Sequence, residues 1–308
     1  MKKETIDEVI ACLPQERTLF HYFKGQYAFT LLSYATQHQQ SVSALKKSNY
    51  QRLLNQPAIK TLLAQQGNGQ LCPELFQWPW NESSETFVLT VDQWGNDNWG
   101  MQTTRSGGNL VLQLNFSGKH NHYYEKLVKP KCDAVFNGYG HPVMTRDKRE
   151  FFRETLAWSR IDLNFSTSEA LIEEIQNDWL RRILASLERI KANKPSYLLS
   201  YCGCEPKQFI SYVDNVLKPF FTIWSEAMLM ASIRFIYEEL GINRIYYHSY
   251  ESGNKLKYAE APRSLYSDLP RKFCFELTEE DPAFLMESRS YRRKRRKIKD
   301  VQWYKLEL

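Results

Sequence analysis

The order of strand-like and helix-like segments after residue 170 limits the folds open to this chain more than any other feature. The predicted segments are a strand at 170–176, an amphipathic helix at 179–190, a long helix at 224–240, a strand at 242–247, a short helix at 262–269, and strands at 272–277 and 301–306. A long helix between two strands makes them parallel neighbours through a right-handed crossover. We therefore predict an α/β (α+β) fold, with the strands at 172–176, 243–247 and 272–277 in one mixed sheet and the helix 224–240 packed on a face.

Between residues 85 and 161 the sequence changes to runs of β-forming residues separated by turn residues. This pattern predicts several further strands and one helix. They are a three-stranded meander at 87–91, 99–104 and 110–114, a short helix at 123–128, and strands at 133–136 and 155–161.

Residues 1–70 form a separate region in the sequence, because their apolar positions recur at helical spacing. We predict a helical N-terminal region (1–70) and a mixed α/β main domain (71–308), whose motif-bearing part is 155–308. The N-terminal region has more apolar side chains than it can bury alone, namely Phe20, Tyr22, Phe23, Tyr27, Phe29, Leu31 and Leu32. We expect it to cover the main domain or to form a homo-oligomer.

A basic run at 289–299 accounts for much of the net charge of +6. We expect the run to lie in an exposed loop before the last strand, with Tyr291 free to stack on a base. The run either binds nucleic acid or is only a solvated loop, and both interpretations stay open. If it binds nucleic acid, the candidate residues are Arg292, Arg293, Arg295 and Arg296.

Several classes of protein are disfavoured. No apolar run approaches the roughly 18 residues of a membrane span, and no signal peptide is recognisable, so we expect a cytoplasmic protein without membrane contact. The motifs of serine hydrolases, P-loop NTPases and dinucleotide-binding enzymes are missing. His120, His122 and His141 have no paired carboxylates nearby in the sequence and fit surface histidines in a turn equally well, so we predict no bound metal.

The stretch from Ile172 to Trp179, Ile-Glu-Glu-Ile-Gln-Asn-Asp-Trp, resembles the E-I-Q-S-D-W motif of a domain in large polyvalent proteins of phages and conjugative elements. That family continues with a proline, an aromatic residue and a tryptophan ahead of a helix ending in glycine. Here Pro219, Phe220, Trp224 and Gly241 follow in the same order. The resemblance covers roughly residues 170–250 and implies an origin in mobile-element or phage-defence biology.

A second resemblance is to the GNAT acyltransferases. Their A-x-x-L-Y-x-x-L-G-F pattern is similar to the segment from Ala261 to Pro270, and the final strand at 301–306 suits that fold. The resemblance implies an acyl-coenzyme A cofactor and places Tyr266 where a tyrosine protonates the leaving thiolate. From the residues alone, Tyr266 also fits a helix tyrosine with its ring in the core.

The cofactor stays open, because GNAT proteins hold the pyrophosphate with a glycine-rich turn and no glycine lies between Gln176 and Gly203. Gln176 stands at the position of that turn. Arg181 and Arg182 are the candidates to supply phosphate contacts through their side chains instead.

Two further residues are catalytic candidates. Strand alternation puts Glu174 and Gln176 on one face and Glu173 on the other, and Glu174 is the candidate to accept a proton from an amine. The alternative is a half-exposed strand whose acids pair with Arg181 or Arg182. His248 ends a predicted strand, where sites in α/β sheets gather, and the polar loop 250–257 after it is expected to line a pocket. A lone structural histidine is the alternative.

Two functions follow as hypotheses. The first is a GNAT-like protein, either an N-acyltransferase acting on an amine of a macromolecule or a non-catalytic relative that only binds. The second is a nucleic-acid or ribonucleoprotein-binding factor of mobile-element or phage-defence biology. The most direct structural test of the GNAT-like hypothesis is whether the strand at 172–178 separates from the strand at 243–248.

Overall fold

The computed structural model describes residues 1–13, 18–38, 41–66, 69–77, 83–95, 102–138, 140–145, 151–257 and 262–308. These residues contain one eight-stranded sheet with the strand order β1-β2-β3-β4-β5-β6-β8-β7. The strands are β1 (Thr18–Tyr22), β2 (Glu85–Trp94), β3 (Asn109–Phe116), β4 (Thr155–Asn164), β5 (Glu169–Gln176), β6 (Arg244–His248), β7 (Glu276–Thr278) and β8 (Trp303–Glu307).

Helices cover both faces of the sheet. They are α1 (Lys3–Cys12), α2 (Gln26–Ala35), α3 (Val42–Leu45), α4 (Pro57–Ala64), α5 (Gly118–Leu127), α6 (Asp178–Lys191), α7 (Pro206–Tyr212), α8 (Phe220–Arg234), α9 (Tyr250–Lys257), α10 (Arg263–Tyr266), α11 (Asp268–Lys272), α12 (Ala283–Glu287) and α13 (Arg289–Arg295). Shorter 3-10 turns lie at Asn49–Asn55, Pro73–Phe76 and Tyr197–Tyr201, and π-helical turns continue α7 at Val213–Leu217 and α8 at Phe235–Glu239.

The sheet is mixed because β5 and β6 are parallel and every other neighbouring pair is antiparallel. The crossover between β5 and β6 contains α6, α7 and α8, as expected for parallel neighbours. The prediction of one mixed sheet holding these strands and β7 is confirmed.

Helix α8 fixes the larger core. It packs on β1, β3, β4 and β5 and contacts α2, which explains why most of its side chains are buried. A smaller apolar cluster lies beneath α9, α12 and α13 and contains Leu171, Tyr246, Tyr291 and Trp303. The sheet is thus covered on two sides, and the carboxyl ends of β5 and β6 lie between the two clusters.

Strand β1 was not predicted. It pairs antiparallel with β2, from Thr18 opposite Leu89 to Tyr22 opposite Glu85, so the N-terminal region contributes a strand to the main sheet. The strand that pairs with β1, β2, is distant in the sequence. The aromatic residues of β1 occur in helices and strands alike. Local periodicity therefore does not distinguish the two.

The N-terminal region covers the main sheet, as the first of the two alternatives expected. Five of its apolar side chains are buried in the chain's own core: Phe20, Tyr22, Tyr27, Leu31 and Leu32. The Tyr22 hydroxyl donates to Oε2 of Glu226 on α8, at 3.0 Å. Self-association through this region stays a prediction.

Deleting residues 1–66 should make the remaining chain aggregate. The deletion removes β1 and α2, and it uncovers Phe87, which packs against Phe20 with ring centroids 6.4 Å apart and against Phe220 at 5.8 Å. Size-exclusion chromatography with light scattering checks this, with the full chain as control. A monodisperse truncated monomer would show that the region is an independent appendage.

Four other predictions need correction. Residues 102–104 are irregular and 99–101 lie outside the described residues, so the expected middle strand of the meander is not observed. Residues 133–136 form a turn, and of the predicted strand at 272–277 only the last two residues are extended, as the start of β7. The basic run forms helix α13 over Arg289–Arg295, because Ser288 caps it and Tyr291 anchors it in the smaller core.

In the part of the chain that the structure describes, no single helix is long and apolar enough to cross a bilayer. One bent pair, Pro206–Leu217 with Phe220–Glu239, meets the length and composition requirements together.

Candidate functional site

The site begins where β5 and β6 separate. Their parallel pairing runs from Glu169 opposite Arg244 to Ile172 opposite Tyr247. Beyond this point β5 continues to Gln176, whereas β6 ends at His248 and the chain turns into α9. After Ile172, the edge of β5 that faces β6 is therefore unpaired, and side chains from other elements can reach it.

Two side chains occupy this gap. The backbone carbonyl of Glu173 accepts a hydrogen bond from Lys257 Nζ at 2.5 Å and a longer one from the Tyr266 hydroxyl at 3.4 Å. Lys257 Nζ also lies 3.1 Å from the Tyr266 hydroxyl oxygen. Helices α9 and α10 thus close the space between the strands with an ammonium group and a phenol.

The carboxylate of Glu173 is the centre of a buried polar cluster. It accepts hydrogen bonds from the backbone N–H of Thr104 at 2.9 Å and from the Thr104 hydroxyl at 2.7 Å, and His248 Nε2 lies 3.1 Å away. Burial raises the pKa of this carboxyl, but the hydrogen bond with His248 and the positive charge of Lys257 outweigh burial and lower it to about 2. Glu173 is therefore ionised at neutral pH.

His248 is fully buried between Glu173 and Trp303, whose ring centroid lies 4.8 Å from that of His248. Burial lowers the pKa of His248 to about 4, so the ring is neutral at neutral pH. Its Nε2 also lies 2.9 Å from Thr104 Oγ1, and its Nδ1 has no hydrogen-bond partner among the described residues. His248 holds the Glu173 carboxylate and lies away from the cleft described next.

A cleft of about 550 Å³ lies at the carboxyl end of β5, between α6, α8 and α10. Its apolar wall comes from Leu180, Leu184, Phe221, Trp224 and Leu265, and its polar wall from Glu174, Gln176, Asn177, Arg181 and Glu188. Two of the three predicted cofactor-binding residues, Gln176 and Arg181, are thus brought together here. Arg182 is not part of the lining.

The start of α6 forms the polar end of the cleft. Asn177 caps the helix, because its Oδ1 accepts from Leu180 N at 2.8 Å, while its Nδ2 is buried without a hydrogen-bond partner in the described residues. Asp178 contacts Arg181, His141 and Gln176. Burial raises the pKa of Asp178, but hydrogen bonds with His141 and Gln176 and the charge of Arg181 lower it overall.

Of the other two predicted catalytic residues, Glu174 lines the cleft and Tyr266 does not. The carboxylate of Glu174 is ion-paired with the buried Arg160, whose guanidinium also lies over the Trp94 ring at 5.2 Å. Tyr266 follows the lining residue Leu265 and is buried, and burial raises the pKa of its hydroxyl well above the usual value. Its phenol therefore keeps its proton at neutral pH.

Two important residues were not predicted as site residues. Lys257 lies in the polar segment 250–257, which was expected to be a loop and forms helix α9. Burial lowers the pKa of Lys257. Thr104 lies in a segment expected to be a strand. The position of Lys257 directly after Leu256, at the end of an amphipathic pattern, is a weak local indication that its side chain is buried. No local feature of the sequence identifies Thr104 as a site residue.

His120 belongs to the core and not to a surface turn. It is buried and stacked on Phe116, with ring centroids 3.5 Å apart, and its Nε2 lies 2.9 Å from the Tyr212 hydroxyl. Within the described ranges, no group of three or more histidine, cysteine, aspartate or glutamate side chains is arranged to hold a metal ion.

Comparison of the chain with protein-family models, curated proteins and solved structures gives no match. The two family resemblances therefore rest on the residues that carry them.

Proposed function

We propose that this chain is a GNAT-like protein whose cleft binds an acyl-coenzyme A thioester, and that it transfers the acyl group to an amine of a macromolecule. The observation that carries the proposal is the cleft itself. The cleft runs from the start of α6 to Leu265. The resemblance places the cofactor phosphates at the start of α6, and it makes Tyr266, the residue after Leu265, the proton donor.

The chemistry of the lining fits such a ligand. Arg181 and the amide of Gln176 offer phosphate donors in place of the missing glycine-rich turn, and the buried Nδ2 of Asn177 lacks a hydrogen-bond acceptor in the described residues. The apolar wall formed by Phe221, Trp224 and Leu265 suits the uncharged pantetheine arm. A bound acyl-coenzyme A supplies an acyl group activated as a thioester.

Protein groups beside the cleft suit the transfer step. As the amine nitrogen bonds to the acyl carbon and the carbon–sulfur bond breaks, the thiolate needs a proton, and Tyr266 has one to donate. Lys257, at 3.1 Å from the phenol oxygen, is the group placed to resupply that proton. Glu174, one of two carboxylates in the lining, is the candidate to accept the proton of the amine, and its ion pair with Arg160 must open for it to do so.

Binding of acetyl-coenzyme A should depend on Arg181 and not on its neighbour Arg182. Isothermal titration should give one site in the full chain, and the Arg181→Gln variant should bind roughly tenfold more weakly, since a charge-assisted contact to phosphate contributes about 1.5–3 kcal/mol. Arg182→Gln is the matched control, because it removes the same charge outside the cleft.

A bulky Ala185→Trp substitution in the lining should weaken binding by narrowing the cleft. Release of free thiol in the presence of a mixture of primary amines then separates a transferase from a relative that only binds. Equal weakening by Arg181→Gln and Arg182→Gln, or no heat of binding at all, would contradict the cofactor assignment.

A further inference from the structure

The segment 283–300 has eight lysine and arginine residues and two carboxylates, a difference of +6 that equals the net charge of the whole chain. The rest of the protein is neutral on balance. The net excess of positive charge therefore lies in helices α12 and α13 and the turn that follows them. Such a concentration of like charge is unfavourable unless an anionic partner comes close.

Part of this charge is used inside the protein. Lys294 Nζ donates to the carbonyls of Thr103 and Thr104 at 2.9 and 3.3 Å, and Arg295 pairs with Asp281 at 2.8 Å. Tyr291, expected to stack on a base, is buried and donates to Asp281. The residues that remain exposed, called here the basic strip, are Arg289, Arg292, Arg293, Arg296, Lys297 and Lys299.

A groove of about 810 Å³ lies beside the basic strip. Ser288, which caps α13, lines it, and Ser290 Oγ accepts from the backbone N–H of Ser106 at 3.0 Å on another wall. The remaining lining includes Lys2, Glu4, Arg105, Asn164 and Phe165. Phe165 is an aromatic ring at the β4–β5 turn with 49% of its surface exposed.

We propose that the basic strip and this groove bind single-stranded nucleic acid. Arginine predominates in the strip, and its planar guanidinium group donates two parallel hydrogen bonds to a phosphate. An exposed ring in an adjacent groove stacks on unpaired bases, which a duplex does not offer. Phe165 thus takes the role expected of Tyr291.

Neutralising the strip tests the electrostatic half of the proposal. Fluorescence anisotropy with an oligothymidylate of about 20 nucleotides is followed from about 50 to 200 mM salt. The Arg292→Gln/Arg293→Gln/Arg296→Gln variant should bind at least about tenfold more weakly, with a log–log salt slope shallower by about 2. Arg295 is left intact because it holds Asp281.

The matched control is Lys46→Gln/Lys47→Gln/Lys60→Gln, which removes three exposed charges from the N-terminal region. It should leave affinity and slope unchanged. Equal weakening by the control would overturn the assignment to the strip, and so would the absence of binding at the lowest salt. Poly-glutamate competing as well as the oligonucleotide would overturn the assignment to nucleic acid.

Phe165→Ala tests the groove. It should weaken binding of the single strand about fivefold or more and leave the salt slope unchanged, because stacking involves no counterion release. Equal binding of a duplex and the single strand, with no effect of Phe165→Ala, would overturn the role of the groove. These residues are separate from the cleft that binds the proposed cofactor, so either result is independent of acetyl-coenzyme A binding.

Discussion

The Glu173→Gln variant should lose about 3 kcal/mol of unfolding free energy, because it removes the charge of a fully buried carboxylate that accepts hydrogen bonds from Thr104, contacts His248 and attracts the buried ammonium of Lys257. The substitution keeps the size of the side chain and removes its charge. Lys257 then stays buried beside the Glu173 carbonyl with the Glu174 carboxylate still acting on it, and the Thr104 hydroxyl and His248 lose an ionised acceptor. Denaturant unfolding monitored by circular dichroism measures the change.

Two further variants give this measurement its controls. Glu239→Gln removes the same charge from an exposed position at the end of the π-helical turn that continues α8, and should change stability by less than about 0.5 kcal/mol. Lys257→Met in the Glu173→Gln background should restore part of the loss, since it removes a buried ammonium that has lost one of the two carboxylates acting on it. Strictly additive effects of the two substitutions would show that Glu173 and Lys257 do not interact.

Much of the second half of the fold was predictable because its signals are local. The helical period of 178–191 and 220–240 and the β-rich runs at 169–176 and 303–307 each lie within one element. The position of Gln176 and Arg181 at the start of α6 followed from the same reading. A cleft at the end of a central strand then follows from the topology of an α/β sheet.

The centre of the site was not predictable in this way. Glu173 meets Thr104 from the segment before β3, His248 from the end of β6 and Lys257 from α9. These contacts join residues far apart in the chain, so no window of sequence contains them. At this point of β5 the pairing with β4 is also irregular, because a register shift between Arg160 and Ile161 leaves Glu173 as the extra residue between Ile172 and Glu174.

The basic run shows a different limit of sequence reading. Eight like charges in eleven residues favour a solvated loop when they are counted alone. The structure buries Tyr291 and uses Lys294 and Arg295 internally, so a short helix forms with its basic residues divided between two roles. Because Lys294 donates to the carbonyl of Thr104, the helix that carries the basic strip also supports the segment that holds Glu173.

Stability should fall steeply as the pH drops from 6.5 to 5, because two histidines are buried in neutral form. Burial lowers the pKa of His248 to about 4 and that of His120 to about 3. In the unfolded chain both rings take up a proton near pH 6.5, so below that pH the unfolded state binds more protons than the folded state. Each histidine should reduce the unfolding free energy by about 2 kcal/mol over this interval.

The histidines can be assigned by substitution. His248→Gln keeps an amide donor towards Glu173 and should make the pH dependence shallower by about one proton, and His120→Phe should do the same while keeping a ring against Phe116. His38→Gln, at an exposed histidine, is the control and should leave the slope unchanged. Below pH 4.5 protonation of the Glu173 carboxylate should lower the unfolding free energy further. Its lowered pKa means that this carboxylate stabilises the fold only in its ionised form. A pH dependence between 6.5 and 5 that survives both histidine substitutions would mean that other groups cause the acid sensitivity.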